Sequence, residues 1–463
     1  MTTTAKATEE IFSSSKKETT PEGQILEVIH GEVKPSNLNA LRVRGGNRLK
    51  GDIAISGAKN AALKHMCAAL LTAEPVQLTN MPVTLGDVRT LSELLDYLGM
   101  NVALRSDGVA MLHTKDIKTH IAPYDLVRKM RASVLVLGPL LAREGQADIS
   151  MPGGCAIGTR PIDLHLKGFE AMGAQIELDG GYVKARAPKG LKGAHITFPF
   201  VSVGATENIM MAATLAQGET ILSNAAREPE IVDQGNALIA MGAKIEGLGT
   251  SEIRIQGVSS LSGTAHACIP DRIETGTYMC AVGLTGGEVR LKNTRTDFLS
   301  SLIGPLTGAG MEIKQDGDDV FVYRNGSHLQ GIDIMTEPYP GFPTDIQAQF
   351  MAMMTMCKGA GMVTETIFEN RFMHVPELCR MGANITVQGN SAIVRGVSKL
   401  VGAEVMATDL RASVSLVLAG LVAEGETTVN RIYHLDRGYE DIVKKLAGVG
   451  ANVARAHMTH DAD

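Results

Sequence analysis

Four kinds of reactive side chain stand where this 463-residue chain changes character. Cys155 lies in Met151-Pro152-Gly153-Gly154-Cys155-Ala156-Ile157-Gly158-Thr159-Arg160-Pro161, a run with three glycines and two prolines. A thiol in an open loop beside Arg160 can act as nucleophile or as proton donor, and the same loop also suits an inert solvent-facing cysteine. Lys59 follows Ile55-Ser56-Gly57-Ala58 and precedes the helical run Asn60-Ala61-Ala62-Leu63. A strand, a glycine turn and a helix start bearing Lys-Asn would bind phosphate or carboxylate, against a solvated lysine in a first helical turn. Arg131, Arg160, Arg371, Arg411 and Arg437 all stand in loops after strands or at helix starts, two of them in the near-duplicates Met130-Arg131-Ala132-Ser133 and Leu410-Arg411-Ala412-Ser413. Guanidinium forks suit phosphates and carboxylates; each arginine alone reads as a surface ion pair, and their placement at comparable points of the repeat favours several converging. Asp345, in Pro343-Thr344-Asp345-Ile346, reads either as a helix N-cap (by itself or by Thr344) or as a base for a hydroxyl proton.

The elements that must position these groups are repeated. A short phrase recurs six times, around Gly99, Gly173, Gly242, Gly310, Gly382 and Gly450, at intervals of roughly 70 residues. Apolar residues of helical period precede each glycine and apolar/polar alternation follows it, which predicts a helix ended by a left-handed glycine and feeding a strand. A second phrase keeps step, predicting strands at Val76–Leu78, Gln146–Ile149, Glu219–Leu222, Glu288–Leu291, Gly361–Val363 and Thr427–Val429. Polar segments follow these strands, including Asn224-Ala225-Ala226-Arg227 and Glu369-Asn370-Arg371. A repeated scaffold whose strand ends carry unrepeated polar residues is the plan of an enzyme.

The chain is too long for one core, and six units divide into two sets of three. A net charge of −6 argues against a general nucleic-acid binder and leaves room for a local arginine pocket. No apolar run reaches membrane-spanning length. Residues 1–39 are rich in Thr, Ser, Lys and Glu with no apolar export segment, which predicts a disordered extension. Leu41–Val43 and Ile53–Ile55 read as a hairpin. Cys67, Cys280, Cys357 and Cys379 read as small hydrophobes, and Cys268 is undecided. With no CxxC pair and no export signal, a reduced cytoplasmic protein is expected. The histidines, among them His65, His165, His374 and His434, show no ligand spacing, so no metal site is expected.

These segments together resemble the UDP-N-acetylglucosamine 1-carboxyvinyltransferase family of enolpyruvyl transferases, from about Leu41 to Ala456. The resemblance rests on Ile55–Ala62, Pro152–Gly158, Val201-Ser202-Val203-Gly204-Ala205-Thr206, Asp271–Gly276, Phe342–Asp345, Phe368–Phe372 and Asp436–Glu440. It implies an α/β fold of two inverse α/β barrel-like domains with three strand-helix repeats each, the chain crossing twice: Leu41–Ala58 plus Pro270–Ala456, and Lys59–Ile269. It implies transfer of the enolpyruvyl group of phosphoenolpyruvate to the 3'-hydroxyl of UDP-N-acetylglucosamine, by addition and elimination, at the start of peptidoglycan precursor synthesis. No cofactor, nucleic acid or membrane partner is implied, and the chain would act as a monomer.

By the same resemblance Cys155 protonates the methylene carbon and reacts with fosfomycin; the glycines of Met151–Pro161, with Arg160 and Asp163 as closing contacts, predict a mobile lid. Asp345 takes the hydroxyl proton. Lys59, Asn60, Arg160 and Arg437 surround phosphoenolpyruvate, with Lys59 and Arg437 counted as catalytic. Arg131, Arg160, Pro161, Ile162, Asp163, Leu164, Ser202, Val203, Gly204, Asp345 and Ile367 meet the nucleotide sugar, and Arg371 and Arg411 complete the substrate set. Three positions depart from the family pattern. Phe200 stands where some relatives have Lys, Leu135 where some have an aromatic residue, and Lys64-His65 where Pro is frequent. The rival readings are a shikimate-pathway enolpyruvyl transferase, a nucleoside-modifying paralogue and an inactive nucleotide-sugar sensor.

Overall fold

The computed structural model describes residues 38–151, 162–325 and 328–457, with two further strands, Glu18–Thr19 and Ile25–Leu26, that pair antiparallel. The expectation for residues 1–39 falls, apart from these strands and residues 38–39, outside the described residues. The chain divides into two compact units. Unit 1 comprises Met1–Val33, Gly57–Gly153 and Arg160–Ile269; unit 2 comprises Lys34–Ser56, Gly154–Thr159 and Pro270–Asp463.

Each unit is built from three four-stranded sheets of one pattern. In the sheet holding Val76–Thr79, the edge strand Thr264–Ala267 runs parallel to it. On its other side lies Ala110–His113, antiparallel, followed by its hairpin partner Asn101–Leu104. Alternation decides which face is buried. In Glu252–Gln256, Ile253 and Ile255 are wholly buried while Glu252, Arg254 and Gln256 face solvent. The helix-strand junctions carry the repeated glycine, and all six have positive φ, between 90° and 110°. A side chain is strained there, so a glycine past each helix turns the chain into its strand.

Inside the sheets lie helices buried on all sides. In unit 2 these are Arg272–Thr285, Thr344–Met354 and Leu410–Gly420, and in unit 1 Lys59–Ala68, Val203–Ala213 and the pair Arg131–Val136 and Leu137–Glu144. Their near-complete burial marks them as core helices, even where Lys59–Ala68 and Arg272–Thr285 carry polar residues. The helix Gly86–Leu98 instead buries one side, including Val88, Leu91, Leu94, Leu95 and Leu98. The inner helices matter for function because Lys59, Asn60, Arg131, Ser202, Val203, Gly204, Asp345 and Arg411 lie at their N-termini.

The expected hairpin does not form. Ala40–Arg44 inserts between Glu426–Asn430 and Asn452–Ala456, antiparallel to both, while Leu49–Ala54 runs parallel to Gly287–Lys292 in a different sheet. The glycine-rich stretch between them therefore joins two sheets instead of closing one turn. Each strand completes one of the four-stranded sheets of unit 2.

Candidate active site

In unit 2, Asp345 is the hub. It sits in the first turn of Thr344–Met354, but neither expected cap exists: the N-cap residue is Pro343, without a side-chain bond, and Thr344 Oγ1 donates instead to Glu365 at 3.0 Å. The Asp345 carboxylate accepts from Arg371 Nη2 at 2.7 Å on Oδ1 and from Arg411 Nη2 at 3.1 Å on Oδ2. Both arginines are buried. Arg411 is placed by its helix start, where Asp409 caps by accepting from the Arg411 and Ala412 amides. Its other nitrogen, Nη1, donates to Tyr439 Oη at 3.2 Å. Thr277 and Gln349 also meet that hydroxyl, and Gln349 Nε2 returns to the Asp345 carbonyl at 2.9 Å. Burial opposes the Arg411 charge, but Asp345 and Tyr439 outweigh it and push its pKa up. Burial raises the Tyr439 pKa, with Arg411 acting against it.

Arg371 lies over the Phe368 ring, 5.4 Å from its centroid. Ile367 is half-buried beside it, its amide donating to Glu365 Oε1 at 2.8 Å. Arg437 follows the short helix Tyr433–Asp436 and is partly exposed. The result is a carboxylate between two buried guanidiniums, with the Tyr439 hydroxyl fixing Arg411 and the Gln349 amide fixing that hydroxyl. Such a fork holds anionic groups and an oxygen-bound proton acceptor in one small volume.

In unit 1, Lys59 opens its helix as expected but is not solvated. Its side chain is 13% exposed and Nζ lies 3.1 Å from Asp87 Oδ2. The glycine before it has a steric reason: a Cβ on Gly57 would lie 1.7 Å from the Asn80 carbonyl oxygen. Asn60, next on the helix, is half-buried. Ser202 caps Val203–Ala213 by accepting from the Ala205 amide at 3.3 Å, so Val203 and Gly204 form a helix N-terminus. Arg131 is the first residue of the inner helix Arg131–Val136, and Arg411 the second of Leu410–Gly420 in unit 2. Ile162 and Leu164 are buried and Asp163 is half-buried at the start of Asp163–Ala171.

The sequence reading passed over His165. It is buried, with Nδ1 3.1 Å from Asn208 Nδ2, and a Cβ on Gly204 would lie 3.2 Å from its Nε2. Burial, aided by Arg131, pushes its pKa down to about 4, so a neutral imidazole stands against this helix start. Only the spatial neighbourhood of Gly204 and Arg131 distinguishes it.

Cys155, Arg160 and Pro161 lie outside the described residues, as does the expected lid beyond Met151. Cys67, Cys280 and Cys357 are buried as small hydrophobes, burial pushing the Cys67 thiol up to about 12. Cys379 corrects the expectation. It is exposed, one position past Leu378, which takes the core-facing place on Val375–Arg380. Of the departures, Phe200 is largely exposed, Leu135 is buried, Lys64 pairs with buried Glu207 at 3.2 Å, and His65 Nε2 lies 2.7 Å from Asp233 Oδ2.

Among the described residues, no helix is long and apolar enough to cross a membrane. A family model described as EPSP synthase (3-phosphoshikimate 1-carboxyvinyltransferase) matches residues 43–446. The UDP-N-acetylglucosamine 1-carboxyvinyltransferase of Rhodospirillum centenum is 61% identical over 432 residues, 91% of this chain and all of that protein. The enzyme of the same name from Acidiphilium cryptum is 60% identical over 420 residues, covering 90% and 99%. The crystal structure of the enolpyruvyl transferase NikO from Streptomyces tendae matches with a TM-score of 0.80 at 24% identity, covering 90% of this chain and 98% of that one. EPSP synthase from Acinetobacter baumannii matches at 0.69 and 18%, covering 90% and 99%. These two likenesses concern the fold. By the family model and by its identity to these full-length relatives, the chain belongs to the enolpyruvyl transferase family of the UDP-N-acetylglucosamine 1-carboxyvinyltransferases.

Proposed function

We propose that this protein moves the enolpyruvyl group of phosphoenolpyruvate onto the 3'-hydroxyl of UDP-N-acetylglucosamine and releases phosphate. The observation that carries this reading is identity near 60% across the whole length of relatives bearing that name. In the proposed reaction Asp345 takes the proton of the sugar hydroxyl as its oxygen bonds to C2 of phosphoenolpyruvate. The Cys155 thiol gives its proton to C3, forming a tetrahedral intermediate. The Cys155 thiolate then takes a proton back from C3 as phosphate departs with the proton held by Asp345, and the double bond is restored. Lys59, Asn60, Arg160 and Arg437 supply fixed positive charge and hydrogen bonds to the phosphate that departs. Arg131, Ser202, Val203, Gly204, Ile367 and the segment Pro161–Leu164 contact the nucleotide sugar. The reaction belongs to the cytoplasm and needs one chain, with no metal or cofactor in the chemistry.

The test is phosphate release from phosphoenolpyruvate with UDP-N-acetylglucosamine, with shikimate 3-phosphate, with a free nucleoside and with no acceptor. Release is expected with the nucleotide sugar alone, and Cys155→Ser should greatly reduce it. Release with shikimate 3-phosphate or the nucleoside instead would transfer the assignment to that acceptor. Silence with all of them, from folded protein that binds UDP-N-acetylglucosamine, would establish the sensor reading.

A further inference from the structure

A second group of reactive side chains lies in unit 1 and takes no part in the chemistry above. His65, Asp233 and Cys268 are all buried, and one donor atom from each lies within 4.8 Å of the other two. They come from three elements: the helix Lys59–Ala68, the helix Pro229–Ala240 and the residue just past the strand Thr264–Ala267. His266 adds a fourth side chain, its Nε2 2.8 Å from the other Asp233 oxygen. The two imidazoles meet edge to face, with centroids 4.8 Å apart. His65 Nδ1 is buried with no hydrogen-bond partner among the described residues, so that ring is incompletely satisfied.

We propose that His65, Asp233 and Cys268 bind one divalent transition-metal ion of the zinc class. Imidazole, thiolate and carboxylate are a borderline-soft donor set that suits Zn²⁺ or Co²⁺ and disfavours Mg²⁺ or Ca²⁺. Metal–ligand distances of about 2.0–2.3 Å in a tetrahedral array set neighbouring donors roughly 3.3–3.6 Å apart. The His65–Asp233 separation of 2.7 Å must therefore open slightly, while the spacing to Cys268 needs at most a small closure. His266 keeps its bond to Asp233 and orients the carboxylate from behind, as outer hydrogen bonds do for metal ligands. The Ala58 carbonyl, 3.4 Å from Cys268 Sγ, or a water completes the set. Binding is not a redox step: the ion displaces the Cys268 thiol proton and the proton shared by His65 and Asp233, and both pass to solvent.

The position gives the ion a structural role. Ala58, which precedes Lys59, donates its amide to the Ile269 carbonyl at 2.7 Å, and the Ile269 amide donates to Asp233 at 3.3 Å. A metal here would tie the start of the Lys59 helix to the segment that ends unit 1.

The experiment strips the full-length protein with a chelator, reloads it with Zn²⁺ or Co²⁺, removes excess ion by buffer exchange and measures metal content and melting temperature. One equivalent of retained metal, a higher melting temperature with Zn²⁺ and a near-ultraviolet thiolate-to-Co²⁺ absorption are expected. Cys268→Ser should lose that absorption and weaken Zn²⁺ binding by more than about 100-fold, beyond the loss typical of an outer-sphere change. Wild-type protein that retains no stoichiometric metal and melts unchanged overturns the site. So does an absorption that survives in folded Cys268→Ser but disappears in Cys155→Ser. Because metal content, absorption and melting are read without turnover, the outcome is independent of the proposed reaction.

Discussion

At the residue scale the sharpest question concerns Asp345. Its sequence context left a choice between a helix cap and a base, and the structure removes the cap. What replaces it is a pair of guanidiniums whose side chains are only 4% and 8% exposed. Asp345→Asn should therefore do two things. Turnover should fall by roughly 100–10,000-fold, the range for a lost general base. Folding stability should also fall, by less than the roughly 3–5 kcal/mol of a fully buried pair because the Asp345 side chain is 30% exposed, as two buried cations lose their counter-charge. Asp345→Glu restores the charge but moves the oxygens, so stability should largely return while turnover stays low. Urea unfolding and phosphate-release assays on both variants check this. Near-normal turnover in Asp345→Asn would remove the base from the mechanism. The candidate residues were legible here as types at motif positions; their partners were not, since nothing local announces that Arg371 and Arg411 converge on one carboxylate.

At the scale of elements, two glycines do different work and should fail differently. Gly173 turns a helix into a strand at φ +90°, with nothing within 4 Å of the place a Cβ would take. Gly173→Ala should cost only the left-handed backbone penalty, about 1–2 kcal/mol. At Gly57 the obstacle is the Asn80 backbone, which cannot move as a flexible side chain would. Gly57→Ala should therefore destabilise more than Gly173→Ala and also raise the KM for phosphoenolpyruvate, since Lys59 follows two residues later. Thermal melts of the two variants side by side, with steady-state kinetics, read both effects; equal costs would count against the steric account of Gly57. The repeated glycines were legible because a positive φ is a local demand with a local residue signature. The false hairpin at Leu41–Ile55 shows the limit, because any two neighbouring strands around glycines satisfy the same local rule.

At the scale of the whole molecule, buried titratable groups set the pH response. His165 is pushed down to about 4 by burial, against 6.5 for an exposed imidazole. Its folded pKa lies below the unfolded value, so between these two values the unfolded chain binds the extra proton. Its contribution is then fully present above about pH 6.5 and lost as pH falls toward 4. Glu207 and Glu274 pull the other way. Burial raises both to about 7 although Lys64 and Lys445 oppose it, so their contribution weakens as pH rises from about 4.5 to 7. The two sets offset one another in mildly acidic solution. His374, likewise pushed down to about 4 by burial, acts in the same direction, so His165→Gln should remove only the His165 share. Relative to wild type, the variant should gain about 2 kcal/mol on going from pH 7 to pH 5. Denaturant unfolding at the two pH values measures this, and a difference that does not change with pH would show that His165 is not buried neutral.

The sequence by itself determined whatever depends on neighbours along the chain: the six helix-strand junctions, the strands read at Val76, Gln146, Glu219, Glu288, Gly361 and Thr427, and the motif residues of an enolpyruvyl transferase. Periodicity and positive φ act within a few residues, so a local pattern suffices to read them. Tertiary structure alone decided which copy of the repeat meets which. It sent Ala40–Arg44 and Leu49–Ala54 to separate sheets, paired Lys59 with Asp87, and brought His65 to Asp233 across 168 residues and Arg411 to Asp345 across 66. Six similar units present nearly interchangeable faces, so contacts among distant side chains follow from how those faces pack and leave no spacing to read in the chain.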